Sequence, residues 1–316
     1  MPLPAFTAVS LGPDPAEALS RVPTEGGVAQ ILGPDGANLL IGRAANLRRW
    51  AASHLGRGKP VPKGKRPPTD LSPVATAIEY APTTSPFQQR LVYERLMARY
   101  VPLSARRDLR PPAFLHLDPA ERFPRVSVRT SEDGPSGPLF GPFRDRRAAS
   151  KAQGVLHKLY PLRPCDYTFE PDPALPLGLG CLYAQVRSCA APCLVRVAEA
   201  DYRTLAAQVA EVLARPDRRP EDLALSLAPW VSATGGRGVV VARGASAVVE
   251  LYPVRAGRVL EEAAILAPAE AALAAVESMR WDDQPSERET TADWPWLSAW
   301  LHSPAGRSSW IPCPER

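Results

Sequence analysis

Residues 27–42 read GVAQILGPDGANLLIG, and this stretch decides the predicted fold of the N-terminal part of the chain. Two aliphatic runs, 27–32 and 38–42, flank the turn sequence GPDG at 33–36. Proline presets the φ angle that a turn requires and glycine tolerates positive φ, so a turn is favoured between the two runs. The sequence therefore predicts a β-hairpin.

Helices and strands are also predicted on either side of this hairpin. Apolar residues at helical spacing favour helices, and short runs of β-branched and aromatic residues favour strands. Helices are expected over residues 15–21, 44–55, 88–100, 146–159, 198–214, 268–279 and 294–302. Further strands are expected over residues 125–129, 139–143, 239–242, 248–252 and 254–260. The mixture predicts an α+β fold with flanking helices around a small sheet.

The composition is globular, with proline as its anomaly. Apolar residues make up 45% and charged residues 22% of the 316, which argues against wholesale disorder and against a coiled coil. No run approaches about 18 uncharged apolar residues, so no membrane span is predicted. The N-terminus lacks the basic and apolar regions of a secretory signal. The net charge of +5 permits a nucleic-acid partner without requiring one. The 37 prolines predict short elements and many loops.

Cysteine spacing carries the strongest chemical signal. Four of the five cysteines fall in one window, Cys165, Cys181, Cys189 and Cys193, whereas Cys313 stands alone near the end of the sequence. Clustered cysteines in a reducing compartment point to metal before disulfides. Four thiolates can hold a [4Fe–4S] cluster or a tetrahedral zinc ion, and spacing hardly separates the two. The alternative is that all four are small buried apolar side chains.

Four motifs stand in order through the middle of the chain. They are FPRVSV at 123–128, LFGPF at 139–143, LHKLYPLRPC at 156–165 and SCAAPC at 188–193. In order and spacing they resemble the N-terminal half of the UvrC/Cho family of excision-repair nucleases. The last two gaps between the cysteines match that family, and the first gap is longer by a small loop. The resemblance implies an iron–sulfur cluster at the four cysteines.

The resemblance also implies a GIY-YIG nuclease domain upstream of these motifs. Such a domain uses a tyrosine on each hairpin strand, an arginine on the next helix and a glutamate that holds a divalent metal. Here the two motif sites read GVA at 27–29 and LIG at 40–42, so both tyrosines are missing. The expected arginine and glutamate fall on Trp50 and Tyr93. No catalytic residue is therefore predicted.

Basic residues lie in and after the predicted hairpin, on what the resemblance makes the DNA-facing side. The candidate DNA contacts are Arg43, Arg48, Arg49, Lys63, Lys65 and Arg66. Such residues would neutralise phosphates and give a salt-dependent affinity that is independent of sequence. The alternative is an ordinary solvated basic surface.

The predicted fold class is α+β, with a GIY-YIG-like small sheet and flanking helices, a cysteine-rich middle region and a C-terminal α+β domain. The predicted segments are a proline-rich leader (1–25), a degenerate nuclease-like domain (26–105), a UvrC-like cysteine-cluster region (106–215) and the C-terminal domain (216–316). The predicted function is binding of damaged or distorted duplex DNA in nucleotide excision repair, with nuclease chemistry lost. A cytoplasmic location and a partner among repair proteins are further expectations.

Two alternative functions stay open from the sequence. One is a metal-dependent endonuclease that nicks damaged DNA with shifted residues, for example Glu94, one place from the expected carboxylate. The other is a module whose degraded nuclease face docks another protein.

Overall fold

A computed structural model describes residues 3–12, 14–56, 67–102, 105–106, 109–130, 138–175, 181–224, 227, 231–233, 237–255, 257–279, 293–307 and 309–313. The chain divides into two compact units that each draw on separate stretches. Unit 1 comprises Met1–Asp108, Val241–Tyr252 and Glu261–Arg280. Unit 2 comprises Leu109–Val240, Pro253–Leu260 and Trp281–Arg316.

The described residues form short helices and strands in an α+β arrangement. The helices are α1 (Pro15–Arg21), α2 (Leu47–His54), α3 (Pro86–Tyr100), α4 (Arg146–Leu159), α5 (Leu182–Gln185), α6 (Glu199–Ala214), α7 (Glu221–Ala224), α8 (Ala272–Glu277) and α9 (Trp294–Leu301). The strands are β1 (Thr7–Ser10), β2 (Gly27–Leu32), β3 (Asn38–Ala44), β4 (Ala77–Pro82), β5 (Ala113–Leu117), β6 (Val126–Arg129), β7 (Leu139–Phe143), β8 (Ser232–Ala233), β9 (Arg237–Arg243), β10 (Val248–Arg255), β11 (Arg258–Val259), β12 (Ile265–Pro268) and β13 (Trp310–Cys313).

The predicted hairpin is confirmed at the centre of unit 1. Strands β2 and β3 pair antiparallel, and Asp35 and Gly36 take the left-handed φ values of 59° and 72° that close the turn between them. The antiparallel sheet continues in the order β1-β4-β2-β3. The strand β4 was missing from the sequence prediction, because its alternation includes the charged Glu79 and ends in a proline.

Both faces of this sheet are covered, because successive side chains of a strand point to opposite faces. On one face Ala29 packs with Leu47 and Ala51 of α2. On the other face Val28 packs with Val92 and Leu96 of α3. Successive residues of β2 therefore belong to two separate cores, one on each face of the sheet.

The stretch predicted as a leader contributes to unit 1. Strand β1 pairs with β4, and Val9 and Leu19 are buried in the α2-side core. The four residues of β1 are too few for a clear alternation to show in the sequence, so only the helix over 15–21 was predicted.

Side-chain caps explain where the helices begin. Asn46 Oδ1 accepts a hydrogen bond from Arg49 N at 2.8 Å, so α2 begins at residue 47 and not at the predicted 44. Ser85 Oγ caps α3 by accepting from Gln88 N at 3.1 Å, which places Pro86 at the first helical position. Such caps satisfy backbone donors that a helix leaves unpaired.

Polar contacts join the later stretches of unit 1 to its first hundred residues. Ser85 Oγ donates to the buried carboxylate of Glu250 at 2.5 Å, and Tyr252 Oη donates to the same carboxylate at 3.2 Å. Arg95 and Glu261 form an ion pair at 2.8 Å. These residues are far apart in sequence, so compactness groups the chain differently from four consecutive segments.

Unit 2 contains a second antiparallel sheet in the order β6-β5-β7-β8. The predicted strands at 125–129 and 139–143 and the predicted helices at 146–159 and 198–214 are confirmed to within one residue. All five residues of β5 are buried. A short apolar run of this kind does not distinguish strand from helix in a sequence, and β5 was not predicted.

The C-terminal stretch differs from its prediction in several places, and its elements α7, β8 and β13 were not predicted. The single strand expected over 254–260 is wrong, because the chain turns at Gly257, with φ at 76°, and returns as β11 to pair with the end of β10. The helix expected over 268–279 is shorter, and β12 precedes it. In the part of the chain that the structure describes, every helix is too short or too polar to cross a membrane.

Gly27 makes the closest backbone approach in the unit 1 sheet, which leads to a stability prediction. A Cβ atom there would overlap the Ala81 carbonyl oxygen and lie 2.9 Å from Leu47 Cδ1. We expect Gly27→Ala to lower the free energy of unfolding by about 1–3 kcal/mol, since overpacking forces the backbone to shift. Urea denaturation followed by circular dichroism measures the change.

The matched control is Gly12→Ala, because nothing lies within 4 Å of a Cβ atom at that position. We expect this control to unfold like the wild type. Equal stability of both variants would contradict the close approach of β2 to β4.

Candidate functional site

The four clustered cysteines lie in a loop-rich segment of unit 2 between α4 and α6, here called the cysteine loop (residues 165–195). None of them forms a disulfide; Cys189 is buried and the other three are half-buried. Cys181 and Cys193 pack against a small apolar cluster that includes Ala191 and Leu194. The cysteine loop therefore has its own apolar core beside its thiols.

The backbone of the cysteine loop is tightly curved. Arg187, Ala191 and Val195 have φ values of 57°, 53° and 56°. Left-handed φ is uncommon outside glycine and rare for a β-branched residue, with a cost of roughly 1–3 kcal/mol each. Such conformations persist only where the surrounding structure holds them.

Hydrogen bonds show how this curvature is held. Ala191 N donates to Cys189 Sγ at 3.3 Å, so the turn after Cys189 closes on its own sulfur. Asp172 N donates to the Cys193 carbonyl oxygen at 2.9 Å, which ties the two ends of the cysteine loop together.

Electrostatic effects link the four thiols. Burial raises the pKa of the Cys189 thiol to about 11, against a lowering by the Ala191 N–H, and Cys165, Cys181 and Cys193 raise it further. Burial also raises the pKa of Cys193, with Cys181 and Cys165 adding to the effect. The neighbouring thiols therefore oppose ionisation of Cys189 and Cys193 and raise their pKa values. Even so, no group of three or more His, Cys, Asp or Glu side chains among the described residues is arranged to hold a metal ion.

Arg163 and Tyr202 support the cysteine loop and were not singled out from the sequence. Arg163 donates from Nη1 to the Cys165 carbonyl at 3.1 Å and from Nε to the Phe123 carbonyl at 2.7 Å. The Tyr202 hydroxyl accepts from Arg163 N at 2.8 Å and donates to the Pro124 carbonyl at 2.9 Å. The signal that could have found Arg163 is its place two residues before Cys165 in the motif LRPC.

The hairpin of unit 1 presents apolar groups where the resemblance implies tyrosines. Ala29 pairs with Gly42 across β2 and β3 and with Tyr80 on β4. A Cβ atom at Gly42 would lie 2.5 Å from the Trp50 ring, so the indole covers that glycine. Tyr80, which pairs with Ala29, directs its hydroxyl away to donate to the Arg21 carbonyl at 3.2 Å.

Glu94 is buried between two guanidinium groups. Arg90 Nε lies 2.6 Å and Arg106 Nη1 lies 3.0 Å from its carboxylate oxygens. Its neighbour Tyr93, at the expected glutamate position, faces Arg43, whose guanidinium carbon is 4.9 Å from the ring centroid. The carboxylate of Glu94, next to the expected metal-ligand position, is therefore already paired with cations on both sides.

The three candidate DNA contacts that the structure describes do not lie on one face of the sheet. Arg43 lies against Tyr93 of α3, whereas Arg48 belongs to α2 on the other side of the sheet. Arg48 donates to the carbonyls of Val22 at 2.7 Å and Ser20 at 2.9 Å. Arg49 is exposed. The remaining candidates lie outside the described residues: Lys63, Lys65 and Arg66.

Comparison with known proteins points to the same part of the chain as the motifs. Residues 113–212 match the middle domain of the UvrC/Cho excinucleases, a range that holds all four clustered cysteines together with Arg163 and Tyr202. No solved structure gives a significant match.

Three curated relatives carry the name "UvrABC system protein C". The protein of Legionella pneumophila is 25% identical over 58% of this chain and 29% of its own length. The protein of Sphingopyxis alaskensis is 27% identical over 61% of this chain and 29% of its own length. The protein of Coxiella burnetii is 26% identical over 60% of this chain and 30% of its own length. The aligned part spans less than a third of the length of each relative. The match to the middle domain, together with these relatives, supports a relationship of the chain to the UvrC/Cho family.

Proposed function

We propose that this chain is a UvrC-like protein of nucleotide excision repair that binds DNA without cutting it. The observation that carries the proposal is the match of residues 113–212, with every clustered cysteine inside it, to the UvrC/Cho middle domain. The GIY-YIG-like character of unit 1 and a preference for damaged or distorted duplexes belong to the same proposal. A cytoplasmic location and a partner among repair proteins stay predictions.

The geometry of unit 1 supports the loss of nuclease chemistry. Hydrolysis of a phosphodiester needs a group that accepts a proton from water and a metal ion that stabilises the developing charge. Ala29 and Leu40 offer neither a proton acceptor nor a metal ligand at the tyrosine positions. Glu94 lies between two arginines, so a divalent cation would have to displace two guanidinium groups to reach it.

The four cysteines would hold a [4Fe–4S] cluster, with tetrahedral zinc as the alternative. The donor set fits either group, because both are bound by four thiolates. Two features of the cysteine loop support a metal: the left-handed turns that curve it and the Ala191 N–H directed at Cys189 Sγ. When bound, the group would supply a structural cross-link or a redox centre. Either group would bind deprotonated thiolates, whereas burial favours the protonated thiol at Cys189, so binding would release that proton.

DNA binding is proposed from the UvrC-like match together with charge. The net charge of +5 suits a polyanionic partner, and Arg43 and Arg49 present exposed guanidinium groups in unit 1. Arg48 stabilises the end of α1 through hydrogen bonds to main-chain carbonyl oxygens. A variant that lacks this arginine would therefore change the stability of the fold as well as DNA binding.

Supercoiled plasmid is the substrate that separates binding from cutting. We expect no nicking above background with Mg²⁺ or Mn²⁺, because the proton acceptor and the metal carboxylate are absent from their positions. Gel electrophoresis over a time course measures the relaxed fraction. Nicking that disappears with a chelator and with Glu94→Gln would establish the endonuclease alternative in place of this proposal.

Protein purified without oxygen tests the cofactor. We expect broad visible absorption and iron bound in proportion to protein, with both reduced in Cys189→Ser and Cys193→Ser. The matched control is Cys313→Ser, which removes a half-buried thiol outside the cysteine loop and should leave the spectrum unchanged. Colourless protein with one zinc per chain would establish the zinc site instead. Protein without either metal would show that the cysteines serve only as packed apolar side chains.

Fluorescence anisotropy with labelled duplexes, intact and lesion-bearing, tests the partner. We expect the logarithm of the binding constant to fall linearly with the logarithm of salt concentration, because bound phosphates release counterions. Arg49→Gln should reduce the slope by about 1 if the residue neutralises one phosphate. Absence of binding to either duplex would contradict the proposal and favour the protein-docking module.

A further inference from the structure

A cavity of about 400 Å³ lies in unit 2 beside the cysteine loop. Its walls come from the last turns of α4, from Pro164 next to Cys165, and from the segment between α5 and Cys189. The residues that give it chemical character are His157, Lys158, Tyr183, Arg187 and Ser188. Among the residues that the structure describes, no carboxylate lines the cavity.

Two cationic side chains meet at this cavity without a counterion. Lys158 and Arg187 are exposed, and neither forms an ion pair within the described ranges. Lys158 lies in the last turn of α4, where the helix dipole contributes about half a negative charge. This partial negative charge is smaller than the two positive charges of Lys158 and Arg187, so the electrostatic potential of the cavity favours an anion.

His157 lines the cavity beside the two cations. His157 Nε2 is buried and has no hydrogen-bond partner among the described residues. Burial lowers the pKa of His157, which keeps the imidazole neutral near pH 7. A ring nitrogen without accessible surface does not meet a ligand in the open cavity, so the neutral imidazole contributes an uncharged part of the wall.

The opposite wall is held in a defined conformation. Ser188 donates to the Tyr183 carbonyl from its backbone N at 2.9 Å and from its Oγ at 3.2 Å. Arg187, between them, takes the left-handed φ of 57°, and its N donates to the Ala184 carbonyl at 3.3 Å. This conformation fixes where the Arg187 side chain leaves the backbone.

We propose that this cavity binds a phosphate group and that, on the basis of the proposed function, the phosphate belongs to the DNA backbone. A guanidinium offers paired N–H donors that match two phosphate oxygens, and a lysine adds a compact charge. Such contacts are sequence-independent, which suits a protein that recognises distorted DNA by its backbone. The cavity would place the DNA strand next to the cysteine loop.

The test uses the full chain and two double variants of equal charge. The cavity variant is Lys158→Gln with Arg187→Asn, since asparagine tolerates left-handed φ and the fold is kept. The control is Lys151→Gln with Arg129→Gln, both exposed residues of unit 2 that do not line the cavity. Lys151 lies seven residues before Lys158 on α4, about 10 Å along the helix axis.

One arm measures DNA binding by anisotropy across a salt series. We expect the cavity variant to bind duplex DNA more weakly and with a log–log salt slope smaller by about 1, as for one lost phosphate contact. The control should keep the wild-type slope. A second arm measures melting temperature in inorganic phosphate against chloride at equal ionic strength, where ligand binding to the folded state raises the melting temperature. The rise should vanish in the cavity variant only.

The two arms separate failure of this inference from failure of the proposed function. Stabilisation by phosphate through the cavity, with no DNA binding by the wild type, would support the phosphate site and overturn DNA as its source. Wild-type DNA binding that neither double variant weakens, with no stabilisation by phosphate, would overturn the inference while the proposed function stands. Stabilisation by a polyglutamate peptide but by neither phosphate nor DNA would overturn it in favour of an acidic protein segment.

Discussion

Two side chains, Arg163 and Tyr202, hold the cysteine loop to the body of unit 2. Together they bond to the main-chain oxygens of Phe123, Pro124 and Cys165 at 2.7–3.1 Å. A hydrogen bond from a charged donor contributes about 1.5–3 kcal/mol, which is comparable with the cost of one left-handed residue. These bonds fix the start of the cysteine loop at Cys165 and the adjoining residue Pro164, which lines the neighbouring cavity.

In unit 1, packing groups occupy the positions where the resemblance implies nuclease residues. Trp50 covers Gly42, and the pair of arginines around Glu94 leaves a buried cluster with net positive charge. Removing one partner from a buried ion pair costs about 3–5 kcal/mol, so this cluster resists rearrangement into a metal site. The two units therefore carry different parts of the proposed function: the cysteines and the proposed phosphate site lie in unit 2, and unit 1 offers a packed hairpin with the exposed residues Arg43 and Arg49.

Local patterns predicted the hairpin β2–β3, helices α4 and α6 and the strands at 126–129 and 139–143. Each has a turn, cap or apolar period within a few residues, which a sequence displays directly. The short strand β1 and the apolar β5 were missed because neither has such a period. Among the site residues, cysteine spacing identified the candidate ligands, while Arg163 and Tyr202 act through contacts with residues about 40 to 80 positions away.

The sequence alone determined which chemical groups are available: four clustered thiols, and no tyrosine, arginine or glutamate at the positions where the resemblance implies nuclease residues. Composition and spacing are one-dimensional properties, so they can be read without coordinates. The tertiary structure decided what those groups face. It paired Glu94 with two arginines, separated Arg43 from Arg48 across a sheet, and left Lys158 and Arg187 together at one cavity. Burial and pairing depend on contacts between distant residues, which only the folded chain specifies.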